Sequence, residues 1–308
     1  MRLHVVHETR YAYAPPVETA QHMAHLRPLE RPQQQRLLGH ALHIAPEPVQ
    51  RSESVDVYGN VRTFFALGST HGELVVRAES LVETAAPPPF VPDTAPGTPW
   101  EAVRERFRYR KGVRDDPVSE FVFPSPHVPL HDDFGAYARP SFTPGRPLFE
   151  AAMDLTLRMH RDFAYDAGST EVGTPAVQAL AQRRGVCQDF AHILIGCCRA
   201  MGLPARYVSG YLLTQPPPGQ PRLVGADASH AWVELYLPPA AGAPARAPGG
   251  WAGFDPTNGR QPGEDYVLLA VGRDFADVSP IRGVLHGGAR HVLHVGVTVR
   301  PEDEENAG

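Results

Sequence analysis

The sequence predicts an α+β protein in two parts, an antiparallel β domain followed by a domain of helices and then strands. Three observations carry that expectation. Residues 1–84 alternate apolar and polar positions without a helical period, residues 148–201 repeat apolar side chains at helical spacing, and the period returns to two after Pro204. Helices followed by strands, rather than interleaved with them, point away from a doubly wound sheet. With 308 residues and 42% hydrophobic content, the chain can build about two cored domains.

Val5, His7, Thr9, Tyr11 and Tyr13 recur every second residue, as on a half-buried strand. Ser54 to Phe65 has the form of a hairpin turning at Gly59-Asn60, and Gly72 to Val82 is a further strand. Residues 1–84 are therefore expected to form an antiparallel, sandwich-like domain. Residues 85–145 follow as a connector and wrapping segment, with Pro87, Pro88, Pro89 and Pro92 near its start and Phe123-Pro124-Ser125-Pro126 further on.

Residues 146–283 are expected to form the second domain. Leu148, Ala152, Leu155, Met159 and Phe163 mark one helical face, and Thr174-Pro175 opens a short helix running to about Arg183. Phe190, Ile193, Leu194, Cys197 and Met201 mark another helix that starts at Cys187 and stops before Gly202 and Pro204. Strands are expected at Ala205 to Leu213, Ala231 to Leu237 and Trp251 to Phe254. Between them lie a Pro-rich loop, 214–226, and an Ala/Pro/Gly loop, 238–249. In residues 284–308, Arg290 to Arg300 alternates again and is expected to return to the N-terminal β domain, leaving a frayed acidic tail from Glu302.

The net charge of −5 supplies no basic field, which argues against nucleic acid as a partner. No stretch has the apolar length of a membrane span, and the first residues lack the apolar core of a secretory signal. The three cysteines are Cys187, Cys197 and Cys198. On one helix, ten residues separate Cys187 from Cys197 by about 15 Å, beyond disulfide reach. A free thiol in a soluble, cytoplasmic protein is the expectation. The sequence carries no signal for an oligomeric state.

Cys187 begins its helix, where unpaired backbone N–H groups and the helix dipole favour a thiolate. Downstream, His230 stands at the mouth of a strand and Asp255 at the end of the next. That set can perform thiol nucleophilic catalysis: the imidazole moves the proton and the carboxylate fixes its tautomer. At this level a second reading stands beside it, a buried structural cysteine at a helix start.

Gly185-Val186-Cys187-Gln188-Asp189-Phe190-Ala191, Ser229-His230-Ala231-Trp232-Val233-Glu234 and Phe254-Asp255-Pro256-Thr257-Asn258 together resemble the bacterial transglutaminase-like (cysteine protease-related) family. Leu3 to Tyr11 and on through Leu26-Arg27-Pro28 resembles the β domain that precedes the catalytic domain in that family. Ala270 to Pro280 is similar to the family's usual ending. The resemblance implies a papain-like catalytic core with Cys187 as nucleophile, His230 as general base and acid, and Asp255 as its orienter. It implies acyl transfer from an amide of a peptide or protein through a thioester, with no metal or organic cofactor. Hydrolysis is favoured. The alternatives are an amine acceptor, which would make a transglutaminase, and a non-catalytic peptide-binding or assembly protein.

The oxyanion would be met by the backbone N–H of Cys187, with Tyr165 and Gln182 as side-chain candidates. Trp232 would either wall the acyl pocket or pack in the core. Gln188 and Asp189 fall in the first helical turn, where Asp189 is expected to serve the helix rather than the chemistry. The pairs His4/His7, His22/His25, His40/His43 and His291/His294 lie on predicted strands, where residues three apart point to opposite faces. They are expected to be solvated or core histidines. The loops 214–226 and 238–249 flank the strand of His230 and are candidates for the substrate rim.

Overall fold

The structure is a computed structural model that describes residues 1–86, 97–111, 116–214, 229–238, 250–288 and 290–302. In chain order the first elements are β1 (Arg2–Ala24), β2 (Gln35–Ala45), β3 (Gln50–Val55), β4 (Val61–Leu67) and β5 (His71–Thr84). Then come α1 (Trp100–Arg106), a 3-10 turn (Pro117–Val122), α2 (Asp132–Ala138), α3 (Leu148–Asp162), β6 (Ala164–Tyr165), α4 (Ala176–Gln182), β7 (Arg184–Gly185) and α5 (Cys187–Ala200). The chain ends with β8 (Ala205–Leu212), β9 (Ser229–Leu237), β10 (Gly250–Phe254), β11 (Tyr266–Gly272), α6 (Phe275–Val278), β12 (Ile281–Gly287) and β13 (Arg290–Pro301).

The N-terminal half is the expected antiparallel β structure. Seven strands form one curled sheet in which β1 pairs with β5 and then β4 along one side and with β13 and then β12 along the other, while β2 joins β5 and β3 joins β4. Alternation is the reason β1 forms: Leu3, Val5, His7 and Thr9 are buried while their neighbours are not. The β3–β4 hairpin turns where the sequence predicts it. Asp56 accepts backbone N–H bonds from Tyr58 and Asn60, both at 2.9 Å, and Gly59 takes a φ of +87°.

The layer facing this sheet is not a second sheet of the N-terminal segment. Its inner face, including Leu3, Val5, Phe65, Leu74 and Val76, shares a core with Tyr211, Val267 and Leu269 of β8 and β11. The sheet-on-sheet packing therefore runs between the N-terminal sheet and the strands β8 and β11. The last strand returns to the first: Val5 faces Val299, and His7 faces Val297.

The C-terminal half is a four-stranded antiparallel sheet, β10-β9-β8-β11, with helices over one face. Helix α5 lies at the centre of that layer. Its Phe190, Ile193, Leu194 and Cys197 share a core with Ala205 and Tyr207 of β8 and with Ala231, Val233 and Leu235 of β9. Each of the Phe, Ile, Leu and Val side chains so removed from water contributes roughly 1.5–3 kcal/mol.

Part of the segment 85–145, expected to connect and wrap, instead supplies core. Trp100 and Val103 of α1, and Phe134, Tyr137 and Ala138 of α2, join the same buried cluster as α5. Helix α2 approaches so closely that a Cβ on Gly196 would lie 2.9 Å from the Phe134 ring. The Pro-rich stretch 87–96, most of both loops offered as substrate rims, and the tail from 303 fall outside the described residues.

Candidate active site

Cys187 is half-buried at the first position of α5. The chain enters that position through β7, which pairs in parallel with β6 so that Tyr165 lies beside Gly185. Asp189, 2% exposed, reaches back over the turn and accepts bonds from the Val186 backbone N–H at 2.9 Å and the Thr170 hydroxyl at 2.6 Å. This caps the helix and ties the 164–174 segment beneath the thiol. A Cβ on residue 185 would come within 2.6 Å of the same carboxylate, so only glycine fits there. Asp189 has the structural position expected of it.

His230 is the second residue of β9, opposite Gly210 of β8. It lies on the face away from α5, together with Trp232, so the thiol meets it at the end of the sheet rather than through the core. A Cβ on Gly210 would fall 2.5 Å from the Trp232 ring and 2.2 Å from the Val267 carbonyl oxygen. The glycine thus lets β8 pass beneath the indole. Trp232 is 2% exposed, stacks against the imidazole with centroids 6.2 Å apart, and meets Tyr266 edge-on at 5.3 Å. It supports the His230 ring from the core side.

Asp255 follows β10 directly and is 0% exposed. Its Oδ2 lies 2.7 Å from His230 Nε2. Burial alone would disfavour the imidazolium. The hydrogen bonds to Asp255 and to Cys187 outweigh it and raise the His230 pKa to about 10. With Nε2 held by Asp255, Nδ1 is the ring nitrogen left for the thiol. Cys187, His230 and Asp255, drawn from three separate elements, are therefore brought into one hydrogen-bonded chain.

Sequence reasoning overlooked the shell around Asp255. Its Oδ1 accepts from the backbone N–H groups of Thr257 at 2.8 Å and Asn258 at 3.1 Å. Its Oδ2 also accepts from Asn258 Nδ2 at 2.7 Å and from the Tyr266 hydroxyl at 2.6 Å. Burial opposes a charged carboxylate here, but these donors, His230 first among them, hold the Asp255 pKa below the ordinary value. Asn258 was detectable as a polar residue three positions after the aspartate. Tyr266 carried no local signal.

The two side chains proposed for the oxyanion stand differently. Tyr165 is 58% exposed, packs edge-on to Phe190, and is close enough to Cys187 that the sulfur, after burial, raises its phenol pKa. Gln182 is exposed at the last position of α4, followed by Arg183 in a left-handed conformation. Of the two, Tyr165 is the one placed beside the sulfur. Gln188 donates from Nε2 to the Val172 carbonyl at 3.2 Å, which secures the same 164–174 segment.

A thiol at a helix N-terminus, an imidazole on the adjoining sheet and a buried carboxylate behind it define the structural class, an α+β fold arranged about a Cys–His–Asp constellation. The transglutaminase-like superfamily matches residues 136–256, and the bacterial transglutaminase-like N-terminal region matches residues 3–83. An uncharacterized protein of Mycobacterium tuberculosis (strain ATCC 25618 / H37Rv) is 39% identical over 304 residues, 97% of this chain and 93% of that one. The chain belongs to the transglutaminase-like superfamily.

A protein-glutamine gamma-glutamyltransferase of Pseudomonas aeruginosa is 34% identical over 133 residues, which is 40% of this chain and 19% of that protein. The crystal structure of a suspected cysteine protease from Cytophaga hutchinsonii aligns over 98% of this chain and 92% of its own, with a TM-score of 0.72 and 21% identity. That likeness is one of fold. Among the described residues, no helix is long and apolar enough to cross a membrane.

Proposed function

We propose that this protein is a cysteine-dependent acyl-transfer enzyme that opens amide bonds of a peptide or protein through a thioester and passes the acyl group to water. The observation that carries the proposal is the His230 imidazole, hydrogen-bonded on one side to Cys187 and held on the other by Asp255 at 2.7 Å.

In this reading Cys187 Sγ, its proton taken up by His230, attacks the substrate carbonyl carbon. The Cys187 backbone N–H, among the unpaired donors of the first helical turn, meets the developing oxyanion, and Tyr165 supplies a second donor. His230 then protonates the departing amine, leaving a thioester on Cys187. Water, giving its proton to His230, attacks that thioester and releases the acid and the thiol. Asp255 keeps the ring oriented and stabilises its positive charge. The chemistry uses side chains and water and calls for no cofactor. A reducing, cytoplasmic setting suits an enzyme whose three cysteines are all free.

Transfer to an amine is the second reading, favoured by the likeness to the Pseudomonas aeruginosa glutamyltransferase over residues shared with this chain. The test is to acylate Cys187 with an activated ester and follow the thioester by mass spectrometry. Release by water at a rate that a primary amine does not raise supports hydrolysis, and faster release into an amide product supports transfer. A thioester that persists with either acceptor supports a domain that holds peptides without turning them over. Cys187→Ala is expected to abolish acylation with the fold intact, and acylation of that variant would exclude the mechanism.

A further inference from the structure

The carboxylate behind His230 is more heavily solvated by protein than orienting a ring requires. Three donors converge on its Oδ2: His230 Nε2, the Tyr266 hydroxyl and Asn258 Nδ2, at 2.7, 2.6 and 2.7 Å. An oxygen with two lone pairs shares its charge among all three. Asn258 Nδ2 also lies 3.4 Å from His230 Nε2, so it competes with the ring for one oxygen.

The topology that brings these donors together is unusual in reach. β10 and β11 are the two opposite edges of the sheet, with β9 and β8 between them. The chain from Asp255 to Tyr266 crosses the end of that sheet, tightened by mutual backbone bonds between Asp255 and Arg260. It sets down a carboxylate beside His230 and, from the far edge, brings a phenol onto the same carboxylate oxygen. Arg260 then lies with its guanidinium 4.7 Å from the centre of the Tyr266 ring while paired with Asp265. A cation there polarises the phenol and strengthens it as a donor. Burial and the nearby Asp255 charge keep that phenol protonated, and so able to donate.

We propose that Tyr266 and Asn258, with Arg260 behind Tyr266, are positioning residues that set the proton affinity of His230 by drawing charge away from the Asp255 oxygen that binds it. This rests on the reading of His230 as the general base and acid, and it adds how that base is tuned. Without the competing donors, Oδ2 would bind the imidazolium more tightly. The ring would then give up its proton less readily, both to the leaving amine and in resetting for the attack of water. The groups facing His230 are Cys187 from α5, Asp255 after β10 and Tyr266 at the start of β11, with Arg260 and Asp265 beyond the phenol and neutral Trp232 beneath the ring.

The test is an NMR pH titration of His230 in protein carrying 13C-labelled histidine. Tyr266→Phe keeps the ring against Trp232 and removes only the hydroxyl. Its His230 midpoint is expected to rise by about half a unit to one unit, the size of a lost charge-assisted hydrogen bond shared among several. Asn258→Ala should move the midpoint the same way, and Arg260→Gln the same way by less. Midpoints that stay where they were, or fall, in the variants that fold overturn the proposal. Asn258 is exposed and the Arg260 side chain is 42% exposed, so their variants remain available if substitution of the buried Tyr266 fails to fold.

The two readings separate cleanly. If the midpoints rise but His230→Ala leaves alkylation of Cys187 unchanged, the tuning network stands and the triad falls. If alkylation depends on His230 and the midpoints do not move, the triad stands and the network falls.

Discussion

Cys187 differs from the other two cysteines in what surrounds each sulfur. Cys197 and Cys198 sit inside α5 with essentially no exposure, and burial raises both thiols, Cys198 to about 12 and Cys197 well above its ordinary value. Iodoacetamide at neutral pH should therefore give a single adduct, at Cys187, as read by peptide mapping; equal modification of Cys197 would contradict the arrangement. The pairing also predicts a pH dependence. His230 has a folded pKa raised from 6.5 to about 10, so its charged pair contributes stability in full below about pH 6.5 and loses it as pH rises through 10. The urea midpoint of the native protein should fall over that alkaline range, and His230→Ala should flatten the fall. The candidate site of Cys187, His230 and Asp255 was legible because each residue stands inside a short string tied to its own element. Tyr266 was not. Its contact with Asp255 depends on a crossing from one sheet edge to the other, and no local spacing encodes that.

Among the elements, the long helices announced themselves and the short ones did not. Helices α3 and α5 run 15 and 14 residues, long enough for apolar spacing to repeat, and the structure places them within a residue or two of the expected bounds. Helices α1 and α2 have seven residues each, too few to repeat, and the prolines around them suggested a surface wrap. β11 escaped notice for a different reason. Tyr266 to Gly272 is buried at every position, so alternation, the usual mark of a strand, is missing. The start of α5 is where element and chemistry meet, and it depends on Asp189. Asp189→Ala removes the acceptor for both Val186 N–H and the Thr170 hydroxyl. The expected loss is about 1–2 kcal/mol of stability by urea denaturation. Alkylation of Cys187 should slow as well, because the loop that presents the thiol is no longer tied down. Asp189→Asn, which retains an acceptor oxygen, should recover part of both.

At the scale of the whole molecule, the two sheets are joined by shared apolar core and by a buried ion cluster. A sandwich was legible in the alternation of residues 1–84, but alternation shows only that a face is buried, not what buries it. Tyr211, Val267 and Leu269 do so from more than a hundred residues away. Glu234 lies on the same face of β9 as His230 and is almost fully enclosed. Arg31, from the N-terminal segment, forks onto both its oxygens, with Nη2 to Oε2 at 3.0 Å, and Arg206 of β8 meets Oε2 at 2.7–2.8 Å. Arg206 in turn lies 4.0 Å over the Trp251 ring. Burial would raise the Glu234 pKa, yet the two guanidiniums outweigh it and bring the carboxyl to about 2. Replacing the glutamate by alanine leaves a buried arginine without its partner, which typically costs about 3–5 kcal/mol. The sign of the pH effect follows from the depressed value: the stabilisation is complete above about 4.5 and is lost as pH falls toward 2. The difference in urea midpoint between the native protein and Glu234→Gln should thus be widest near neutrality and close progressively in acid. A difference that held constant down to that range would mean the arginines are not what keeps the carboxylate ionised. Because Arg31 belongs to the N-terminal segment and Glu234 to the strand of His230, Glu234→Gln should also loosen the sheet that carries the imidazole. Hydrogen exchange at β9 amides is therefore expected to quicken more than at α5 amides, because α5 packs on the face of β9 opposite Glu234.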